Sequence, residues 1–184
     1  MRHPKIILDF DNTIAQSAET ILSMHGHVCD PRILEWDFSP YASTPEEQAL
    51  MVNEFNTAEF WDKLIPMPGV KEWLKDQYKH NIPIYVCSKR FVGQFTRVID
   101  WMKKEGLDEY ITDYFFIYKS HKSKASLLDK DAIIIDDNPK CFGSDDDEAR
   151  KIRFKSYKYG DEYLNYKEQY ESWDEIPHFM SECI

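Results

Sequence analysis

Long hydrophobic runs, basic charge and paired cysteines are all scarce in this chain. No stretch approaches the ~20 apolar residues that a membrane-spanning helix needs. The first residues lack the basic-then-apolar pattern of a secretory signal, so a cytoplasmic protein without a membrane span is expected. Lysine and arginine number 23 against 33 aspartates and glutamates, a formal net charge of −10. That deficit argues against non-specific binding to a nucleic-acid backbone, which needs a basic face. Acidic stretches such as Ser144-Asp145-Asp146-Asp147-Glu148 point the same way. The four cysteines, Cys29, Cys87, Cys141 and Cys183, form no C-x-x-C pair, and Cys87 falls in an apolar run. Free thiols in a reducing compartment are therefore expected. Internal repeats are absent too. What is present is 184 residues with 42% hydrophobic and 15% aromatic content, enough for one domain with an inserted subdomain and a substantial core.

The stretch that organises the rest is Lys5-Ile6-Ile7-Leu8-Asp9-Phe10-Asp11-Asn12-Thr13. A continuous apolar run of this kind marks a strand buried on both faces, as in a parallel sheet covered by helices. In such sheets ligands bind beyond the carboxyl ends of the strands, where Asp9, Asp11 and Thr13 would lie. Two carboxylates there repel unless a cation or solvent neutralises them.

Further along, Ile14 to Met24 reads as a helix, with Gly26 near its end. Residues 25–45 are irregular but aromatic, with Trp36, Phe38 and Tyr41. Thr44-Pro45-Glu46-Glu47 is a helix start, with Thr44 as N-cap and Pro45 at the first position. That helix is expected to carry Leu50, Met51 and Phe55 and to continue toward Phe60 and Trp61. A helical insertion this early suggests a small cap over residues 15–65, above the end of the first strand. The core would then comprise residues 1–14 and 66–184. Ile65 to Val70 brings the chain back, and Val70, Trp73, Leu74 and Tyr78 mark one helix face. Strands follow at Ile82–Ser88, Tyr114–Tyr118 and Asp131–Ile135, with Lys151–Phe154 as a fifth. Between them come an amphipathic helix, Phe91 to Lys104, and a helical turn at Ala125–Leu128. Strands alternating with helices indicate a parallel α/β sheet.

Three strands thus end in polar residues: Asp9 and Asp11, then Ser88, then Asp136-Asp137-Asn138-Pro139. A basic cluster, Lys119, His121, Lys122 and Lys124, precedes the last. Each piece alone has a bland reading as a turn, a cap or solvated surface. Their joint order is much harder to obtain by accident.

In this order the chain resembles the haloacid dehalogenase-type (HAD) phosphohydrolases. Within them it is most similar to the 5′(3′)-deoxyribonucleotidases, through Phe60 to Gly69 and the closing Ser172-Trp173-Asp174, which resembles a C-terminal helix of that group. The resemblance implies an α/β fold: a Rossmann-like HAD core with a central parallel sheet flanked by helices, plus the small helical cap after the first strand. It implies that Asp9 attacks phosphorus and forms an aspartyl-phosphate. Asp11 would protonate the leaving group and then activate water. Ser88 and Lys124 would hold the transferring phosphoryl group, with Lys122 as the alternative lysine. Mg²⁺ would be the cofactor, held by Asp9, the backbone carbonyl of Asp11, and Asp136 or Asp137. Thr13, Lys89, Arg90, Trp36, Phe38 and Trp61 are the substrate-binding candidates; the resemblance suggests that at least one of the aromatics contacts a base, while the alternative for any single one is a place in the cap's own small core.

The chain departs from the pattern at Asn12, where many relatives have glycine. It departs again at Lys89-Arg90, where a small residue and proline are expected. The expected partner is a small phosphate ester, a nucleoside monophosphate first of all. The alternatives are another small ester, a nucleic-acid end, or a non-catalytic binding protein. The oligomeric state, a homodimer included, is left open.

Overall fold

The computed structural model describes residues 4–90, 92–117, 124, 131–138, 140, 149–155, 157–159 and 168–179. Six strands form one sheet: β1 (Lys5–Leu8), β2 (Ile84–Lys89), β3 (Asp113–Ile117), β4 (Ala132–Asp136), β5 (Arg150–Phe154) and β6 (Gln169–Tyr170). Their order is β3-β2-β1-β4-β5-β6, and every neighbouring pair is parallel. The apolar run of β1 sits at the centre, with Ile6, Ile7 and Leu8 at most 1% exposed: Ile6 and Leu8 pack with residues of the helices described below, and Ile7 packs on the opposite face with Cys87, Ala132 and Ile134. From β1 the chain builds outward through β2 and β3, then crosses back to place β4 on the other side. Doubly wound sheets bind their ligands at that switch point, beyond the strand ends. Leu8 pairs with Val86 on one side and Ile135 on the other, so β1 and β4 end level while β2 runs on to Ser88 and Lys89.

The segment between β1 and the next core helix is helical, but its elements differ from the expected ones. α1 is Ser17–Met24, three residues shorter at its start than the periodicity predicts. Phe10 to Gln16 is instead occupied by a tight turn in which Ile14 and Ala15 both donate to the Phe10 carbonyl. Ala15 then bridges Pro66, Gln16 N donates to the Ile65 carbonyl, and the Gln16 side chain bonds the Pro66 carbonyl. The outgoing and returning chains are clipped side by side there. α2 is Pro45–Asn53, started as expected: Thr44 Oγ1 accepts from Glu47 N, and Glu47 reaches back to Ser43 N. It does not continue to Trp61. A single-turn 3₁₀ helix, Glu54–Asn56, follows, and Thr57 turns extended and caps a new helix, α3 (Ala58–Lys63), by accepting from Phe60 N. A Thr that bonds the backbone locally competes with helix continuation. Leu50, expected on the packed face, is 60% exposed, while Met51 is buried.

In the core proper, α4 is Val70–Lys79 and α5 is Phe95–Lys104. On α4 the buried face is Val70, Trp73, Leu74 and Gln77, and Tyr78 is exposed. Gln77 tolerates burial because its Oε1 accepts from Phe179 N. A 3₁₀ turn at Val92–Gln94 replaces the expected first turn of α5. α5 is bonded along the insertion. Gln94 donates to Asn56 Oδ1 (2.6 Å), Arg97 to the Asn56 and Thr57 carbonyls, Trp101 Nε1 to the Leu64 carbonyl and Lys104 to the Asp62 carbonyl. The Ser172–Asp174 stretch is a 3₁₀ turn (Trp173–Glu175) instead of the expected helix. Its Trp173 packs on Trp73 and Phe154 and donates to the Thr13 carbonyl at 3.0 Å, bracing the loop after β1 from beneath. Gly69 has φ +82°, and an added Cβ there would lie 3.2 Å from the Trp173 Cβ, so glycine lets the two segments meet. Among the described residues, no helix is long and apolar enough to cross a membrane. The predicted turn at Ala125–Leu128, and Lys119, His121 and Lys122, lie outside the described residues.

Candidate active site

The ends of β1 and β4 bring four ionisable side chains into one buried cluster. Asp9 follows β1, Asp136 ends β4, Asp137 comes next, and Lys124 precedes β4 in the chain; none is more than 8% exposed. One oxygen from each of the three carboxylates lies within 4.8 Å of the others. The Lys124 ammonium donates to Asp9 Oδ1 and, at 2.6 Å, to Asp136 Oδ2. Asp136 Oδ1 accepts from Asn138 N at 2.9 Å, so both its oxygens are engaged. One lysine cannot neutralise three buried carboxylates. Burial pushes the Asp9 carboxyl up to about 7 despite the Lys124 charge, with Asp136 and Asp11 adding to the rise. Asp137 is also pushed well above the usual carboxylate range, first by burial and then by Asp9 and Asp136. Three hard oxygen ligands with surplus negative charge are the donor set that a Mg²⁺-like cation suits.

Asp11, two residues beyond Asp9, stands at the edge of this cluster. Its Oδ1 accepts from Ser17 Oγ and from Arg90 Nη2, each at 2.6 Å. Arg90 is only 8% exposed, and its guanidinium lies 5.3–5.6 Å from the ring centres of Phe10, Phe55 and Trp61. Its Nε has no partner among the described residues. Ser88, at the end of β2, is 1% exposed, and its hydroxyl likewise has no partner among the described residues. A buried hydroxyl left unbonded beside a strand end is a ready donor for an anion's oxygen.

Other expected positions land differently. Lys89, the last residue of β2, is exposed, on the opposite face from the buried Ser88 before it. Arg90 spends its charge on Asp11. Thr13, expected at the substrate, is wholly buried, and its Oγ1 accepts from Asp137 N at 3.2 Å, tying the β1 loop to the β4 loop. Phe38 and Trp61 are also core residues, 3% and 8% exposed. Phe38 packs near Phe55, and Trp61 Nε1 donates to the Phe55 carbonyl. Neither presents a free face for a base. Trp36 does: it is 51% exposed and packs on Tyr159 with ring centres 5.4 Å apart. Tyr159 and Ser17 escaped the sequence reading. Tyr159 donates to Asp137 Oδ2, and no local pattern marks it.

No family model matches the sequence, and neither does any curated protein. Solved structures do match. A predicted phosphatase from Clostridium acetobutylicum aligns with a TM-score of 0.62 at 16% identity, over 95% of this chain and 96% of that one. A predicted phosphoglycolate phosphatase from Haemophilus somnus gives 0.61 at 12%, over 94% and 96%. A HAD family hydrolase from Deinococcus radiodurans, solved with bound phosphate and sodium, gives 0.58 at 13%, over 94% and 93%. At such identities the likeness is one of fold: this chain has the fold of the HAD-superfamily hydrolases. The nearer resemblance to deoxyribonucleotidases finds no counterpart among these three.

Proposed function

We propose that this chain is a Mg²⁺-dependent phosphohydrolase acting on small phosphate monoesters through an aspartyl-phosphate. The observation that carries the proposal is the buried Lys124 bridging Asp9 and Asp136, with the Ser88 hydroxyl, which has no partner among the described residues, at the neighbouring strand end. Asp9 is the nucleophile: its carboxylate oxygen bonds to phosphorus as the bond to the leaving alkoxide breaks. Asp11 gives that alkoxide a proton, then takes one from the water that attacks the acyl-phosphate, releasing inorganic phosphate and restoring Asp9. Ser88 and Lys124 donate to phosphoryl oxygens and balance their charge. Arg90 and Ser17 hold Asp11 on its Oδ1. Mg²⁺ would be held by Asp9, Asp137 and the Asp11 carbonyl, and supplies positive charge to a site rich in carboxylates.

For the substrate we propose a nucleoside monophosphate, a 5′-deoxyribonucleotide first of all, with the base against the exposed face of Trp36. Stacking on an aromatic is worth roughly 1–3 kcal/mol per base. A second reading, a small acidic ester, is favoured by the neighbour described as a predicted phosphoglycolate phosphatase. Phosphate release from nucleotides, sugar phosphates, phosphoglycolate and p-nitrophenyl phosphate, with and without Mg²⁺, tests both. Metal-dependent hydrolysis led by nucleotides is expected. Trp36→Ala should then raise KM for nucleotides about tenfold and spare p-nitrophenyl phosphate. No hydrolysis of any ester would refute the activity, and a lead by phosphoglycolate would replace the nucleotide.

A further inference from the structure

We propose that Asn12 and Tyr159 form a one-directional hydrogen-bonded link that fixes the Asp137 carboxylate for cation binding, which makes Tyr159 a positioning residue of the site. The proposal rests on the proposed function, in which Asp9 and Asp137 are the carboxylates that would hold Mg²⁺. The direction of the link follows from its first member. The Ala18 backbone N–H can only donate, and it does so to Asn12 Oδ1 at 2.8 Å. The Asn12 amide is thereby oriented, and its Nδ2 faces the Tyr159 hydroxyl at 3.2 Å. An amide nitrogen cannot accept, so the hydroxyl accepts there and its single hydrogen goes to Asp137 Oδ2. That bond fixes the orientation of the Asp137 carboxylate.

The geometry leaves Tyr159 little freedom. The ring is 8% exposed, stacked on Tyr157 at 5.3 Å and 11°, with Trp36 against it. Tyr157 is itself anchored, its hydroxyl donating to Glu19 Oε1 at 3.1 Å. At the other end, Asn12 has φ +56°, a left-handed conformation that glycine or asparagine adopts most readily. Glycine would satisfy that backbone, but only asparagine also supplies the amide that spans from α1 to Tyr159. The link therefore joins the β1 loop, the chain after β5 and the insertion's Trp36 to one carboxylate of the acidic cluster. Groups that orient metal ligands in this way commonly set affinity: losing one typically costs about 10–100-fold.

The test is Mg²⁺ binding to the intact chain by titration calorimetry, without substrate. Tyr159→Phe deletes the hydroxyl and keeps the ring, and should weaken Mg²⁺ binding about 10–100-fold. Asn12→Gly keeps the backbone conformation and should weaken binding in the same direction. The double variant should bind no worse than Tyr159→Phe alone, because both changes break one link. Raising Mg²⁺ should also restore turnover in Tyr159→Phe, a rescue that general structural damage would not give. A folded Tyr159→Phe protein with a Kd within about twofold of the parent would overturn the proposal. If Tyr159→Phe does not fold, Asn12→Gly decides by the same criterion. Unchanged variants beside a Mg²⁺-binding parent would sink the link alone and leave the proposed function standing. A parent that binds no Mg²⁺ would overturn both.

Discussion

Replacing Asp9 by asparagine should make the metal-free protein more stable and abolish the proposed hydrolysis. Asp9 takes up its proton near pH 7 in the folded chain, against an ordinary 3.8. The folded state therefore binds that proton more tightly than the unfolded state. The stabilisation this group contributes is whole below the ordinary value and is lost as the pH rises through about 7. At roughly 1.4 kcal/mol per pH unit, the displacement amounts to about 4 kcal/mol between the two limits. Burial is the main cause, with Asp136 and Asp11 adding repulsion and Lys124 opposing it. Asparagine keeps the shape without the charge, and Lys124 retains Asp136 as a partner. In EDTA at pH 8, Asp9→Asn should gain about 2–4 kcal/mol over the parent. At pH 5 the difference should shrink to about 1–2 kcal/mol, and it should vanish only below the ordinary 3.8. Urea unfolding at both pH values reads this directly, and turnover should fall by several orders of magnitude. Mg²⁺ should stabilise the parent more at pH 8 than at pH 5, since it needs the ionised carboxylates. An Asp9→Asn protein less stable than the parent at pH 8 would refute the reasoning, as would turnover near the parent's.

Ser88→Ala should leave stability within about 1 kcal/mol of the parent, because the hydroxyl it removes bonds nothing among the described residues; turnover, measured on the same preparation, should still drop at least tenfold. Lys124→Ala should lower turnover by about two orders of magnitude or more, and far more than Lys122→Ala, because Lys124 Nζ donates directly to Asp9. Arg90→Met should destabilise the fold by about 2–4 kcal/mol in urea unfolding, since it leaves the Asp11 carboxylate, itself mostly buried, with Ser17 alone.

How far the sequence carries depends on whether a residue's role is set by its neighbours in the chain. Ile6 to Leu8 could be read as a central strand because burial on both faces leaves an unbroken apolar run. The cap at Thr44 and Pro45 was equally local. Thr57 was not: a threonine within a helical stretch looks unremarkable until its hydroxyl is seen capping a new helix. Lys89 and Arg90 read as a pair of cations, yet the end of β2 separates them, one to solvent and one to Asp11. Phe38, Trp36 and Trp61 are indistinguishable as letters, and only packing decides that Trp36 keeps a face exposed. β6 is two residues long, too short for any periodicity. Tyr159 is 147 positions from its partner Asn12, and no pattern of residue types announces such a contact.

The bonds between α5 and residues 54–64 bear on the timing of the proposed reaction. Swinging that part of the insertion away from the sheet would break the contacts of Gln94, Arg97, Trp101 and Lys104 together, each worth a net ~0.5–1.5 kcal/mol. It would also strip Phe55 and Trp61 from the Arg90 guanidinium. Residues 54–64 are thus held against α5 by contacts that would have to open together. A wall that does not cycle adds no opening step of its own to each turnover. Under the proposed function, selection along such a wall would fall to preformed shape and charge, without the added discrimination that substrate-driven closure can provide.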